Sequence, residues 1–268
     1  VLSGEGADEL FGGYPYYQEC LAFAPYMTVP APARRALAAA ARRLPEGTHG
    51  RRFLMRGAHP LPERYIRLEY NFPWAEALDL LAPELGARCA AAPTPWELAA
   101  PLFAEIEADE ITAMQTADIL TWMQQDILLK ADKMSMASSL ELRVPFLDRE
   151  VFALASTLPV SQRVGRRETK IALRAAAARR LPPQLADAPK RGFPVPLADW
   201  LRQEKYYALV KAKLTGPAAE RFFDTGALCA LLDAHRAGKT NAMTKLWAFY
   251  CFIEWYEVYF TGKIPPDL

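Results

Sequence analysis

The chain has 268 residues, enough for one large domain or two small ones, and its 51% apolar content suffices for a core. A formal net charge of +1 gives no general field for nucleic acid, and the paired arginines at 34–35, 42–43, 51–52, 166–167 and 179–180 read as solvated helix faces. Four scattered cysteines with no CxxC pair, and three histidines apart from them, argue against zinc and against a disulfide framework and fit a reducing cytoplasm.

Val1-Leu2 reads as the end of a strand. It runs into Ser3-Gly4-Glu5-Gly6-Ala7-Asp8-Glu9-Leu10-Phe11-Gly12-Gly13-Tyr14, a glycine turn that carries acids and opens a helix. Glycine lets the backbone approach a ligand closely. Free N–H groups at a helix start attract an anion, and a carboxylate in such a loop can hold magnesium, which usually bridges to phosphate oxygens. The residues alone therefore describe a phosphate and metal loop. Gly12-Gly13 reads as close packing or a bend.

Further along, 33–44 predicts an alanine-rich helix stopped by Pro45-Glu46-Gly47, and 45–57 reads as loop. Helical patterns follow over 61–70, ending near Pro73, and over 75–91, broken by Ala92-Pro93-Thr94-Pro95. Ile111, Met114, Ile119, Trp122, Met123 and Ile127 recur at helical spacing and predict one long helix over 110–137. Helices are also predicted over 151–158, 169–181, 200–214, 227–237 and 244–260, with a second short strand signal at Arg163-Val164. The last helix is aromatic nearly all round, which predicts burial of the whole helix, Cys251 included. The longest unbroken apolar run, 246–253, is far too short to span a bilayer.

Two more segments carry chemistry. Asp126-Ile127-Leu128-Leu129-Lys130-Ala131-Asp132-Lys133-Met134-Ser135-Met136-Ala137 leads to Leu140-Glu141-Leu142-Arg143-Val144-Pro145-Phe146-Leu147-Asp148. Asp126, Lys130 and Lys133 fall at i, i+4 and i+7, one face of an α-helix, which composition alone reads as an exposed ion-pair stripe. Arg143 to Asp148 looks like a structural elbow, because Pro145 biases Val144 away from helix; Arg143 pairs there with Asp148 or with Glu141. The third segment is Lys190-Arg191-Gly192-Phe193-Pro194-Val195-Pro196-Leu197, a proline-flanked turn in which a lysine can serve as a point charge or lie on the surface.

These three segments, in this order, resemble the synthetase domain of the glutamine-hydrolysing asparagine synthetases. The resemblance runs from the first residue to about Trp255. It implies a chain that is mostly α: the C-terminal helical part of an α/β adenine-nucleotide alpha-hydrolase-like (ATP-pyrophosphatase) domain, doubly wound when intact. Most of the parallel sheet is expected upstream, leaving the Val1-Leu2 strand without neighbours and folding of the chain alone in doubt. The family's Ser-Gly-Gly-x-Asp-Ser pyrophosphate loop and its N-terminal glutaminase domain are absent from the 268 residues, and the chain starts at Val1 without an initiator Met. The expectation is a C-terminal part of a longer protein, inactive alone.

The resemblance further implies ATP and magnesium as cofactors. Aspartate would be adenylated on its side-chain carboxylate, and ammonia from a glutaminase domain would then attack the adenylate. Glu5 matches the position of the base, or of the group that positions ammonia; lactam-forming relatives commonly carry tyrosine there, and the residue alone also reads as a helix N-terminal acid. Asp8 matches the magnesium ligand, with its partner aspartate in the absent loop; Ser3, Gly4 and Gly6 match the backbone around the pyrophosphate. Asp126 matches an active-site carboxylate, and Lys190 the lysine that steadies the leaving pyrophosphate. The expected setting is cytoplasmic, with no nucleic acid and no membrane, and allows a homodimer of the full-length protein. A relative that amidates or cyclises another carboxylate, and a non-catalytic scaffold of the same fold, stand as alternatives.

Overall fold

The computed structural model describes residues 1–45, 47–66, 73–186, 188 and 195–262. Helices make up most of it. Among the described residues the β pairing consists of isolated bridges, Leu2 with Arg143 in parallel, Leu81 with Phe223 and Val164 with Thr169 antiparallel. The chain divides into two compact units, Val1–Tyr65 with Ala99–Arg191, and Ile66–Leu98 with Gly192–Leu268.

The first unit is built around the long helical stretch, whose start is set by Asp109: its side chain accepts from the N–H groups of Ile111 and Thr112, both at 3.0 Å. The stretch is continuous, as periodicity predicted, but it has three parts, an α-helix over Glu110–Asp118, a π-helix over Ile119–Leu128 and an α-helix over Leu129–Met136. Hydrogen bonding from i to i+5 rotates side chains differently from the α form, so the α-helical face drawn through Asp126 starts inside a segment with another period. Ile111 and Met114 pack with Tyr17 and Cys20, from the Pro15–Phe23 helix, and with Val164. A second core joins Leu10 and Phe11 to Ala155, flanked by Phe146 and Leu147.

The second unit is a helical bundle. Leu214, Leu228, Leu232, Leu246 and Ile253 are completely buried, contributed by helices Glu204–Leu214, Thr225–Arg236 and Met243–Phe260. His235 is also fully buried and satisfied at both nitrogens: Nε2 donates to the carbonyl of Ala198 at 2.9 Å, and Nδ1 accepts from the N–H of Ala242 at 3.1 Å.

Several expectations change. The stretch over 45–57 holds a helix, Arg51–Arg56, entered through Gly50 at φ 81°. The single helix over 75–91 is two, Trp74–Asp79 and Pro83–Ala90, because the chain between them turns aside to pair with Phe222-Phe223-Asp224: Ala82 N–H donates to the carbonyl of Phe222 at 2.9 Å, and Asp224 N–H to that of Leu80 at 3.0 Å. The helix predicted over 61–70 is described as Leu61–Ile66, and the remainder lies outside the described residues. The helix over 200–214 divides into Leu197–Trp200 and Glu204–Leu214. The final helix is not buried all round: Leu246, Phe249 and Ile253 face the core, whereas Trp247, Trp255, Tyr259 and Phe260 are exposed, and so is Cys251. The strand end at Val1-Leu2 does have one neighbour, residues 141–143.

Candidate active site

The site begins with a short parallel pairing. The N–H of Ser3 donates to the carbonyl of Arg143 at 2.8 Å, and the N–H of Arg143 to that of Val1 at 2.8 Å. The acidic loop is thereby fastened to the start of the second motif. Gly6 then turns the chain at φ 87°, a conformation that favours glycine. A Cβ there would lie 2.3 Å from Cδ2 of Leu147, so the elbow packs directly beneath the turn. Phe11 meets Phe146 edge to face at 6.1 Å. Asp148 accepts from the N–H of Glu150 at 2.9 Å and starts the next helix, while Arg143 pairs with Glu141. The elbow is thus a scaffold for the acidic loop, as its sequence suggests.

Above that scaffold the loop is open. Gly4 is exposed, and a Cβ there would meet no atom within 4 Å; Ser3 and Glu5 on either side are half-buried. Ala7, Glu9, Leu10 and Phe11 point inward and anchor the Ala7–Phe11 helix. Asp8 stays half-buried, with its Oδ1 3.0 Å from Nζ of Lys170.

Behind the loop lies a polar layer that sequence reasoning missed. Glu9 is 2% exposed; its Oε1 accepts from the Tyr14 hydroxyl at 2.7 Å, and its backbone carbonyl accepts from Nε2 of Gln115 at 2.5 Å. Burial holds the Glu9 carboxyl above its ordinary range, the Tyr14 hydroxyl works the other way, and the charges of Asp8 and Asp118 add to the rise. Gln115 in turn accepts at Oε1 from Arg163. Asp118, 3% exposed, is ringed by phenols: Tyr16 and Tyr17 donate to Oδ2 at 2.6 and 2.5 Å, and Tyr65 donates to Oδ1 at 2.8 Å. Burial, followed by the Asp118 charge, pushes the Tyr17 hydroxyl well above its ordinary range, so it remains a donor. The sequence signals were there: the run Tyr14-Pro15-Tyr16-Tyr17 directly after the motif, and Gln115 and Asp118 among apolar residues of a long helix.

The predicted site residues are only partly brought together. Ser3, Gly4, Glu5 and Gly6 share one short turn, and Asp8 lies in the helix that follows it directly. Asp126 is exposed in the π-helical segment, as are Lys130 and Lys133 beyond it, and among the described residues no hydrogen bond or ion pair joins Asp126 to the loop. Lys190 lies outside the described residues. Magnesium is a poor fit to what is described: the neighbour of Asp8 is an ammonium group, and among the described residues no three His, Cys, Asp or Glu side chains cluster to hold a metal ion. Among the described residues, too, no helix is long and apolar enough to cross a membrane.

A mostly helical chain with an acidic glycine turn seated on a proline elbow is the class of protein defined so far. The family model for asparagine synthase matches residues 1–257, and the chain belongs to that family. It is 40% identical over 272 residues to a protein of Mycobacterium tuberculosis named as a putative glutamine-hydrolysing asparagine synthetase, with all of this chain and 40% of that protein covered. It is 37% identical over 271 residues to the glutamine-hydrolysing asparagine synthetase 1 of Bacillus subtilis, covering all of this chain and 42% of that one. The chain thus spans about 40% of the length of the curated relatives it matches. No solved structure matches it.

Proposed function

We propose that the chain forms the amide-making part of a glutamine-hydrolysing asparagine synthetase: ATP adenylates the side chain of aspartate, and ammonia released from glutamine by a glutaminase domain displaces the adenylate. The observation that carries this reading is the intact acidic loop, with Glu5 beside the open face at Gly4 and the loop's underside locked on the elbow by Gly6 and Leu147. A loop fixed from below and open above is suited to hold a reacting group in one position.

Within this reading each residue has one task. Ser3, Gly4 and Gly6 present backbone to the pyrophosphate. Glu5 receives the proton that the incoming ammonia must lose as its nitrogen bonds to the acyl carbon. Lys190 carries positive charge to the phosphates during adenylation, and Asp126 contributes a carboxylate from the second motif. Magnesium, expected with ATP, needs ligands beyond Asp8. The chain alone is inactive, and the complete protein works in the cytoplasm, a homodimer being the arrangement the reading allows.

The test is Glu5→Gln in the full-length protein, with aspartate-dependent pyrophosphate release and asparagine formation measured separately. Loss of a positioned base costs about 10²–10⁴ in the step it serves, so asparagine formation falls by that order while pyrophosphate release persists. Unchanged asparagine output removes Glu5 from the chemistry. Turnover with a carboxylate other than aspartate, at wild-type loop sequence, would replace the substrate and keep the site.

A further inference from the structure

Three observations meet at a residue that the motifs do not include. Lys170 stands at φ 55°, in the left-handed region, just before the Ile171–Ala178 helix. A lysine gains nothing there from its own backbone, and such strain persists only where the surroundings impose it. Its Nζ reaches Oδ1 of Asp8 at 3.0 Å, both side chains being about three-quarters covered, at 22% and 24% exposed. Gly13 makes room for the pair: a Cβ at that position would fall 1.9 Å from Oδ1 of Asp8 and 2.2 Å from Cε of Lys170. The second glycine of the Gly12-Gly13 pair is therefore required by this contact.

One helical turn further on, Arg174 makes a second grip. Its Nε donates to the carbonyl of Thr169 at 3.1 Å, which braces the Lys170 backbone, and its Nη1 donates to the carbonyls of Ala186 and Ala188, each at 3.0 Å. In sequence Ala188 stands two residues before Lys190. We infer that Lys170 and Arg174 form a clasp that sets the acidic loop against the segment leading into the third motif, and that both are positioning residues for the adenylation step. The reaction part of this inference rests on the proposed function; the clasp itself does not. A planar fork suits Arg174, because one side chain must reach acceptors on two separate segments. Lys170 needs only a point charge on a tether.

Two measurements on the full-length protein separate the parts. The first uses no activity. Acetylation by an amine-reactive ester, followed residue by residue by mass spectrometry, should modify Lys170 about fivefold more slowly than the exposed Lys130 and Lys133, as expected for a partly covered ion pair. Asp8→Asn should erase that protection. Equal rates in the wild type, or protection that survives Asp8→Asn, would overturn the clasp. The second is aspartate-dependent exchange of pyrophosphate into ATP. Lys170→Met, Gly13→Ala and Arg174→Lys should each lower kcat by about 10–100-fold with little change in KM for aspartate and with the melting transition kept, because a small misplacement is costly at a reacting centre. Lys170→Arg should restore part of the rate. Wild-type kcat in all three variants would overturn the positioning role. Protection without any exchange activity in the wild type would count against the proposed function and leave the clasp standing.

Discussion

In the unit formed by Val1–Tyr65 and Ala99–Arg191, the buried residues include Glu9, Arg56, Arg64, Gln115 and Asp118; in the unit formed by Ile66–Leu98 and Gly192–Leu268, the buried polar residues among those described are His235 and Glu257. The second unit settles its few polar groups simply, His235 on two backbone groups and Glu257 on Lys213 at 2.7 Å, and otherwise buries leucine, isoleucine and phenylalanine. The first unit ties its polar groups into chains: Tyr14 to Glu9, Glu9 to Gln115, Gln115 to Arg163, and three tyrosines to Asp118. Burying polar groups is costly unless every one is partnered. In the first unit Glu9 and Gln115 join this network directly to the acidic-loop helix, whereas Arg56 and Arg64 are held by Glu19 and Glu110. The other unit follows the ordinary logic of a helical core.

If that contrast is right, the most damaging substitution lies in the polar layer. Asp118→Ala removes the acceptor shared by the hydroxyls of Tyr16, Tyr17 and Tyr65. Hydrogen bonds to a charged group are each worth roughly 1.5–3 kcal/mol, so losing this set, with Tyr17 the fully buried member, should cost about 4 kcal/mol. Asp118→Asn keeps an acceptor oxygen and should cost less. In the apolar unit, Leu246→Ala removes a fully buried side chain and should cost about 3 kcal/mol, the usual range for such cavities. Urea unfolding reads both, with tryptophan fluorescence weighted toward the second unit, which holds Trp74, Trp96, Trp200, Trp247 and Trp255 against Trp122 in the first. An Asp118→Ala cost well below that of Leu246→Ala would mean that water replaces the carboxylate, and the contrast between the units would lose its basis.

The two units were unequally legible in the sequence. In the bundle the helices over 227–237 and 244–260 could be read, because Leu228, Leu232, Leu246 and Ile253 sit at helical spacing, whereas the breaks within 75–91 and 200–214 and the Pro217–Phe222 helix were not. Its last helix shows the limit. Aromatic residues on every side fix the helix but not which half is covered, and Trp247 and Trp255 face outward. In the first unit the acidic loop and its elbow were plain from their residues. The π-helix was not, since Ile119, Met123 and Ile127 satisfy an α pattern as well, and only the bonding distinguishes them. The six-residue Arg51–Arg56 helix is too short to show a period and follows two glycines that read as loop. Lys170 carried no signal, because its importance comes from a backbone angle and from the absent side chain of Gly13. Contacts of that kind, between distant segments, leave no local pattern.

The subtlest difference between the units concerns proton binding. Burial raises the Glu9 pKa above the ordinary 4.5, reinforced by the nearby charges of Asp8 and Asp118. The folded chain therefore holds the Glu9 proton to a higher pH than the unfolded chain does. Between the two pKa values the native state binds more protons, so the Glu9 contribution to stability is fully present below the unfolded value, falls as pH rises to the folded value, and is level beyond it. Glu9→Gln removes this titration and keeps an oxygen that can accept from Tyr14. The variant should thus gain on the wild type as pH rises from about 4 and hold a constant advantage once Glu9 is ionised in both states. Urea midpoints of the two proteins across that range give the difference directly. The effect is expected to be the smallest of the set, because the Tyr14 hydroxyl already stabilises the ionised carboxylate at 2.7 Å. A difference that stays flat from about pH 4 upward would place Glu9 with the ordinary carboxylates and leave Asp118 alone as the buried acid of the polar layer.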